Sequence, residues 1–324
     1  MSGKTIVLEQ SFGDLAIERE AAAAHGVSVV GKVVASAAEL ADAARDADAI
    51  IVRYLKIDGE MMKRARWKVI GRYGIGVDNV DVEAASRLGI AVINVPDYCV
   101  EEVAEHAVAL VYSAWRGLRA ANDLVLAGRW TEWKEIGEIG RMSQATLGLV
   151  GVGRIGSLVA KLLRPAFGRI VVYDPLSPAP PEGAERIASL DELLATSDAV
   201  SLHCPLTPET RLLMNARRLG QMKPNSILVN VSRGELIDID ALPAALDARR
   251  PALAMLDVLP QEPPARGASL LHHPRVFLTP HVAWLSSASI DELRAKVAAR
   301  TAAYLVGQTD VSVVNREALG AGVA

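Results

Sequence analysis

The chain lacks most of the features that would commit it to several common protein classes. It has two cysteines in 324 residues, Cys99 and Cys204, with no CxxC pair and no Cys/His cluster. Neither a disulfide framework nor a zinc site is expected. His272-His273 has no carboxylate constellation beside it, so no metal is expected there either. No apolar stretch reaches the roughly 18 residues of a membrane-spanning helix. Met1-Ser2-Gly3-Lys4-Thr5 lacks the charged-apolar-cleavage pattern of a secretory leader. Charge of one sign is also missing: 35 Lys plus Arg balance 38 Asp plus Glu, net -3. A basic face that holds nucleic acid by counterion release is therefore disfavoured. No low-complexity run occurs, and a reducing, cytoplasmic setting is the expectation.

What is present reads as α/β. Short β-branched runs alternate with Ala- and Leu-rich segments of helical length, the rhythm of βαβ units around parallel sheets. At roughly 100 to 200 residues per domain, the length suits two. In the first part, strands are expected at 5–8, 49–53, 68–72 and 91–94, with helices such as 37–45 and 82–88 between them. An apolar-periodic stretch from Glu101 to about Leu126 predicts one long helix bridging to a second unit. That unit opens at Leu147–Val150, with a helix over 157–163. Further strands are expected at 169–173, 199–203, 226–230, 252–256 and 276–279. A helical pattern over 284–304 and an extended segment at 310–315 follow.

The cofactor signal is Gly151-Val152-Gly153-Arg154-Ile155-Gly156. A lone GxGxxG is weak, but this one follows an apolar strand and opens a helix. Gly151 suits the tight turn, Gly153 a close backbone approach to phosphates, and Gly156 close helix-strand packing. Backbone N–H groups near Arg154 and Ile155, at the positive end of the helix dipole, would hold the anion. Asp174 ends the next strand, at about the 20-residue separation expected of an acid that binds the ribose hydroxyls. Its charge would repel a 2′-phosphate, so NAD is favoured over NADP.

Three loops that follow expected strands carry reactive side chains: 230–235 with Arg233, 256–263 with Glu262, and 279–284 with His281. In open parallel sheets, ligands bind beyond the carboxyl ends of the strands. Hydride chemistry on a 2-oxo acid needs a cation for the carboxylate and a proton donor for the carbonyl oxygen. It also needs a group that keeps the donor charged. An arginine fork binds carboxylate bidentately, and a carboxylate beside an imidazole fixes its tautomer and favours the imidazolium.

With these residues in place, the chain resembles the D-isomer-specific 2-hydroxyacid dehydrogenases. The likeness runs through Gly74-Ile75-Gly76-Val77-Asp78-Asn79-Val80-Asp81, Val103-Ala104-Glu105-His106, the glycine motif and His203-Cys204-Pro205-Leu206-Thr207. It continues through Ser232-Arg233-Gly234, Leu256-Asp257-Val258 with Glu262-Pro263, and Thr279-Pro280-His281. The resemblance implies a Rossmann-type NAD-binding domain at 100–287. A discontinuous flavodoxin-like substrate domain would comprise 1–99 and 288–324. It implies that Arg233 binds the substrate carboxylate, that His281 is the general acid/base, and that Glu262 pairs with His281. Backbone around Gly74, Ile75 and Gly76 would complete the carboxylate site. Asp257 would lie near the nicotinamide. Further cofactor contacts are expected from His203, Cys204, Pro205, Thr210, Val231, Ser232, His281 and Ala283. A homodimer through the cofactor domain is implied, with 101–126 and 130–141 at or near the interface.

Two readings of the substrate pocket stay open. Arg53 and Arg72 end first-part strands and could take a second anionic group, as in a phosphoglycerate- or hydroxypyruvate-type substrate. Trp284 could instead line a pocket for a softer side chain. The His-x-Ala-Trp version at 281–284 is similar to that of the C-terminal binding protein corepressors. A nucleotide-sensing binding protein with little turnover is therefore the alternative to an enzyme. Intact Glu262 argues against formate dehydrogenase chemistry. No regulatory domain is expected after Asn315.

Overall fold

The computed structural model describes residues 4–177, 179–308 and 310–320. The chain divides into two compact units, Met1–Tyr98 with Ser286–Ala324, and Cys99–Leu285. These boundaries differ by one or two positions from the sequence expectation. Positions 1–3, 178, 309 and 321–324 of the expected domains lie outside the described residues.

The first unit is built on β1 (Thr5–Glu9), β2 (Ser28–Lys32), β3 (Ala49–Val52), β4 (Val69–Arg72) and β5 (Ala91–Ile93). All pair in parallel, in the order β2-β1-β3-β4-β5, the flavodoxin-like arrangement. β3 is buried at every position, Ala49-Ile50-Ile51-Val52, as a central parallel strand covered on both faces must be. Helix caps follow local chemistry: the Ser36, Asp58 and Asp81 side chains each accept an N–H from the first turn of the helix they open. The Ser287–Leu305 helix starts with a Ser286/Ser289 capping box and packs on β4. Gly71 permits that approach, because a Cβ there would stand 2.5 Å from Thr301 Oγ1.

The strand β2 was not expected. Its residues Ser28-Val29-Val30-Gly31-Lys32 do not alternate apolar with polar, so this edge strand leaves little periodic signal. The extended segment expected at 310–315 is corrected as well. It forms a single antiparallel bridge, Val313 to Ile93. Asn315 does the remaining pairing through its side chain: Oδ1 accepts from Val92 N at 2.9 Å, and Nδ2 donates to Ile90 O at 2.9 Å.

The second unit holds β6 (Thr146–Val150), β7 (Arg169–Tyr173), β8 (Glu185–Arg186), β9 (Ala199–Leu202), β10 (Ile227–Asn230), β11 (Leu253–Leu256) and β12 (Val276–Leu278). The parallel order is β12-β11-β10-β9-β6-β7-β8. Strand order reverses between β6 and β9, the Rossmann-type switch point at which a ligand crevice opens.

The single helix expected over 101–126 is two helices, Val100–Trp115 and Leu118–Leu126. Gly117 breaks it with φ of 59°, and a Cβ there would stand 2.5 Å from Ile136 Cγ2. The break therefore serves the packing of a segment some twenty residues downstream, which helical periodicity cannot register.

Candidate active site

The glycine loop follows β6 at the switch point. Gly151 has φ of 88°, and a Cβ there would stand 2.7 Å from Cys204 N in the loop after β9. A Cβ on Gly156 would stand 2.2 Å from Gly151 O, so only glycine lets the Arg154–Leu163 helix start this close to the strand. The space beside Gly153 is open, with no atom within 4 Å of a Cβ. First-turn N–H groups of the helix, which have no carbonyl four residues back inside it, lie at this opening. The cradle fits a pyrophosphate: backbone donors, the positive helix end, and open space beside Gly153.

Asp174 lies at the end of β7, as a ribose-binding acid should. Its Oδ2 accepts from Val152 N at 2.9 Å, and its Oδ1 accepts from Leu176 N at 2.9 Å and Ser177 N at 3.1 Å. A carboxylate has about four acceptor sites, so capacity is left for a ribose hydroxyl. Arg186, which the sequence reading passed over, donates to Ser177 O at 2.7 Å and Asp174 O at 3.0 Å and pins this turn.

In the loop after β9, burial pushes the His203 imidazole down to about 4 and the Cys204 thiol up to about 11. Both ring nitrogens of His203 are buried without a hydrogen-bond partner. Thr210 braces this loop through Oγ1, which donates to Pro205 O at 2.7 Å and accepts from Thr207 N at 2.7 Å.

Arg233 follows β10 and is held by its neighbours. Buried Asn230 donates through Nδ2 to Arg233 O at 2.8 Å and accepts from Ser232 N at 3.0 Å through Oδ1. Ser232 Oγ donates to Leu202 O at 2.9 Å, and Val231 is buried. The backbone at Gly234 meets the 259–260 segment closely, because a Cβ there would stand 2.0 Å from Leu259 C. This brings the Arg233 loop against the one carrying Glu262.

Glu262 and His281 form a pair, Oε2 to Nδ1 at 2.6 Å, while Glu262 Oε1 accepts from Leu259 N at 2.8 Å. Partial burial raises the Glu262 carboxyl, but the bonds from His281 and Leu259 and the positive charge of Arg233 outweigh it. The net position is below the usual carboxylate value. His281 has φ of 54°, a left-handed backbone that costs a non-glycine residue of order 1 kcal/mol. Asp257 sustains it: His281 N donates to Asp257 O at 2.8 Å, and the buried carboxylate accepts from Val282 N and Ala283 N, each at 2.9 Å. Trp284 Nε1 donates to His281 O at 2.8 Å, so this indole also braces the loop.

In the first unit, Arg53 directly follows β3. Its guanidinium lies 4.8 Å from the centroid of the Phe12 ring and 4.6 Å from that of Tyr54. Gly74, after β4, has φ of 145°, and the Arg72 guanidinium occupies the space a side chain there would need. Ile75 O accepts from Asn94 Nδ2 at 2.7 Å, and Gly76 follows it in the loop after β4.

A parallel α/β unit with a glycine-lined phosphate cradle at its switch point is a dinucleotide-binding unit by class. Residues 108–283 match the family model of the D-isomer specific 2-hydroxyacid dehydrogenase, NAD binding domain, and the chain belongs to that family. It is 40% identical over 249 residues to D-3-phosphoglycerate dehydrogenase of Methanocaldococcus jannaschii, covering 75% of this chain and 47% of that protein. The chain spans about half the length of the curated relatives it matches. Among solved structures, the TT0316 protein of Thermus thermophilus superposes with a TM-score of 0.83 at 34% identity, covering 96% of this chain and 99% of that one. A D-lactate dehydrogenase from Aquifex aeolicus, complexed with NAD and lactic acid, gives 0.82 at 28% identity, with 94% and 96% covered.

Proposed function

We propose that this protein is an NAD-dependent dehydrogenase that interconverts a small 2-oxo acid and its D-2-hydroxy acid. The observation that carries the reading is the Glu262–His281 pair at 2.6 Å on loops beyond β11 and β12. When bound, NADH supplies the hydride for C2 of the oxo acid. His281 donates its Nδ1–H to Glu262, which leaves Nε2 to give a proton to the carbonyl oxygen and to take it back from the alcohol in reverse. Glu262 stays ionised across the neutral range and stabilises the imidazolium. Arg233 offers its planar fork to the substrate carboxylate and carries charge at any working pH.

On this reading the second unit is the cofactor domain and the first the substrate domain. Gly74, Ile75 and Gly76 would contribute backbone to substrate binding. Arg53 would face the rest of the substrate, which suits glyoxylate, hydroxypyruvate or a phosphoglycerate-type acid. Val231, Ser232, Asp257 and Ala283 would lie on the nicotinamide side, and Cys204, Pro205 and Thr210 on the other. Among the described residues, no helix is long and apolar enough to cross a membrane. A cytoplasmic homodimer belongs to the same proposal. Its support is a group of exposed large apolar side chains, Leu126, Trp130 and Trp133, which are 78%, 77% and 64% exposed.

The test follows NADH oxidation at neutral pH across glyoxylate, hydroxypyruvate, phosphohydroxypyruvate and pyruvate, with His281→Ala alongside. Turnover that the variant abolishes supports the enzyme. NADH binding without turnover of any oxo acid overturns it in favour of a nucleotide sensor.

A further inference from the structure

His106, on the Val100–Trp115 helix, has no role in the chemistry above, yet it is wired to it. Its Nε2 lies 3.0 Å from Thr279 Oγ1. That hydroxyl has one proton, and it lies 2.5 Å from Asp257 Oδ1, which as a carboxylate can only accept. The hydroxyl proton therefore goes to Asp257, and Thr279 Oγ1 accepts from His106. This assigns the Nε2–H tautomer to His106. His106 Nε2 itself stands 3.7 Å from Asp257 Oδ1, too far for a direct bond, so Thr279 is the relay.

Asp257 is only 2% exposed, and its carboxylate accepts the N–H groups of Val282 and Ala283. Its carbonyl accepts from His281 N at 2.8 Å, and Thr279 O accepts a second bond from His281 N at 3.0 Å. Asp257 and Thr279 together clamp the backbone on both sides of His281, at the one point of this loop where a non-glycine residue takes a left-handed conformation. Without the His106 donor, the Thr279 oxygen keeps only its bond to Asp257, and the clamp loosens.

We propose that His106 is a positioning residue for the acid/base group. Its Nε2–H orders Thr279, which orders Asp257, which holds His281 at its working geometry. The proposal rests on the dehydrogenase reading for its kinetic arm and on the loop geometry alone for its exchange arm.

The experiment compares His106→Leu, which removes the donor, with His106→Gln, which keeps an amide N–H. Thr279→Val is added singly and combined with His106→Leu. His106→Leu is expected to lower kcat about tenfold, with NADH affinity and KM within about twofold, and His106→Gln to recover most of the loss. The double variant is expected to be no slower than the slower single one, because both break one relay. Amide exchange at Val282 and Ala283 should quicken about tenfold in His106→Leu and stay near wild type in His106→Gln.

Equal losses in the two His106 variants, multiplicative losses in the double, or unchanged exchange overturn the proposal. Thr279→Ser against Thr279→Val, in the otherwise native protein, asks the same question should His106→Leu fail to fold. A hydroxyl that rescues neither rate nor exchange sinks it. If wild type turns over no oxo acid, the dehydrogenase reading fails by itself and the exchange arm still decides this one. If wild type turns over, His281→Ala does not, and His106→Leu behaves as wild type, only the His106 proposal fails.

Discussion

Glu262 Oε2 lies 2.6 Å from His281 Nδ1, and both side chains keep roughly two-fifths of their surface in contact with solvent, 36% and 42%. The pair is therefore neither an isolated surface bridge nor a buried one. It is oriented by Leu259 N on one side and by the Asp257 clamp on the other. Glu262 should matter through the charge it places beside the imidazole more than through stability.

Glu262→Gln keeps the size and one acceptor but removes that charge. Its kcat/KM for oxo-acid reduction is expected to fall about 10- to 100-fold. Stability should change by less than about 1 kcal/mol. Steady-state rates at neutral pH measure the fall in activity, and an unchanged kcat/KM removes Glu262 from the mechanism.

His203 gives the fold a pH dependence of its own. Its folded form holds a proton only below about 4, against the usual 6.5, because burial disfavours the charged ring. Between those values the unfolded chain binds more protons than the folded one, so stability rises with pH through this window. It is complete above pH 6.5 and falls by up to about 3 kcal/mol as pH drops towards 4. Urea midpoints at pH 7 and 4.5 should separate further in the native protein than in His203→Phe, which has nothing to titrate there. Equal separations would show that burial does not control this ring.

Two glycines of the cofactor loop should respond in opposite ways. Gly153→Ala meets no atom within 4 Å and has φ of -64°, so folding stability should stay within about 0.5 kcal/mol of native. The methyl group would fill the open cradle, and NADH affinity is expected to drop about tenfold or more. In Gly156→Ala the Cβ meets a backbone carbonyl at 2.2 Å and cannot be absorbed by a rotamer change, so about 3 kcal/mol of stability should be lost. Urea denaturation and fluorescence titration with NADH distinguish the two. A Gly153→Ala protein that binds NADH normally would place the pyrophosphate elsewhere.

The catalytic candidates were legible because each stands on a loop just past an apolar, β-branched strand: Arg233 after β10, Glu262 beyond β11, His281 beyond β12. Strand ends such as Arg169–Tyr173 were readable for the same reason. What supports these residues was not. His106 and Thr279 are 173 positions apart, and nothing local to either marks the bond between them. Asn230 reads as the polar end of a strand, although its amide shapes the Arg233 loop. The break at Gly117 escaped because an isolated glycine costs a helix only about 1 kcal/mol, and tertiary packing against Ile136 decided the matter. Edge strand β2 and the side-chain pairing of Asn315 carry too little alternation to register.

The first unit has its own buried charge network. Glu18, with 0% exposure, accepts from Arg294 through both oxygens, at 2.8 and 2.7 Å, and from Tyr73 Oη at 2.9 Å. Arg294 also donates to Asp14 and lies 5.1 Å from the centroid of the Phe12 ring, which Arg53 flanks as well. Burial and the Glu18 charge push the Tyr73 hydroxyl well above its usual range, so it remains a donor at every working pH. Arg294→Met strands the Glu18 carboxylate in the interior, at an expected cost of about 3 to 5 kcal/mol. Adding Glu18→Gln removes the stranded charge yet leaves an acceptor for Tyr73, so the double variant should regain more than half of that loss. Thermal and urea unfolding of both singles and the double complete the cycle. An Arg294→Met protein within about 1 kcal/mol of native would mean that Glu18 is protonated or solvated in the folded state, and that the network does not hold the Phe12–Arg53 corner in place.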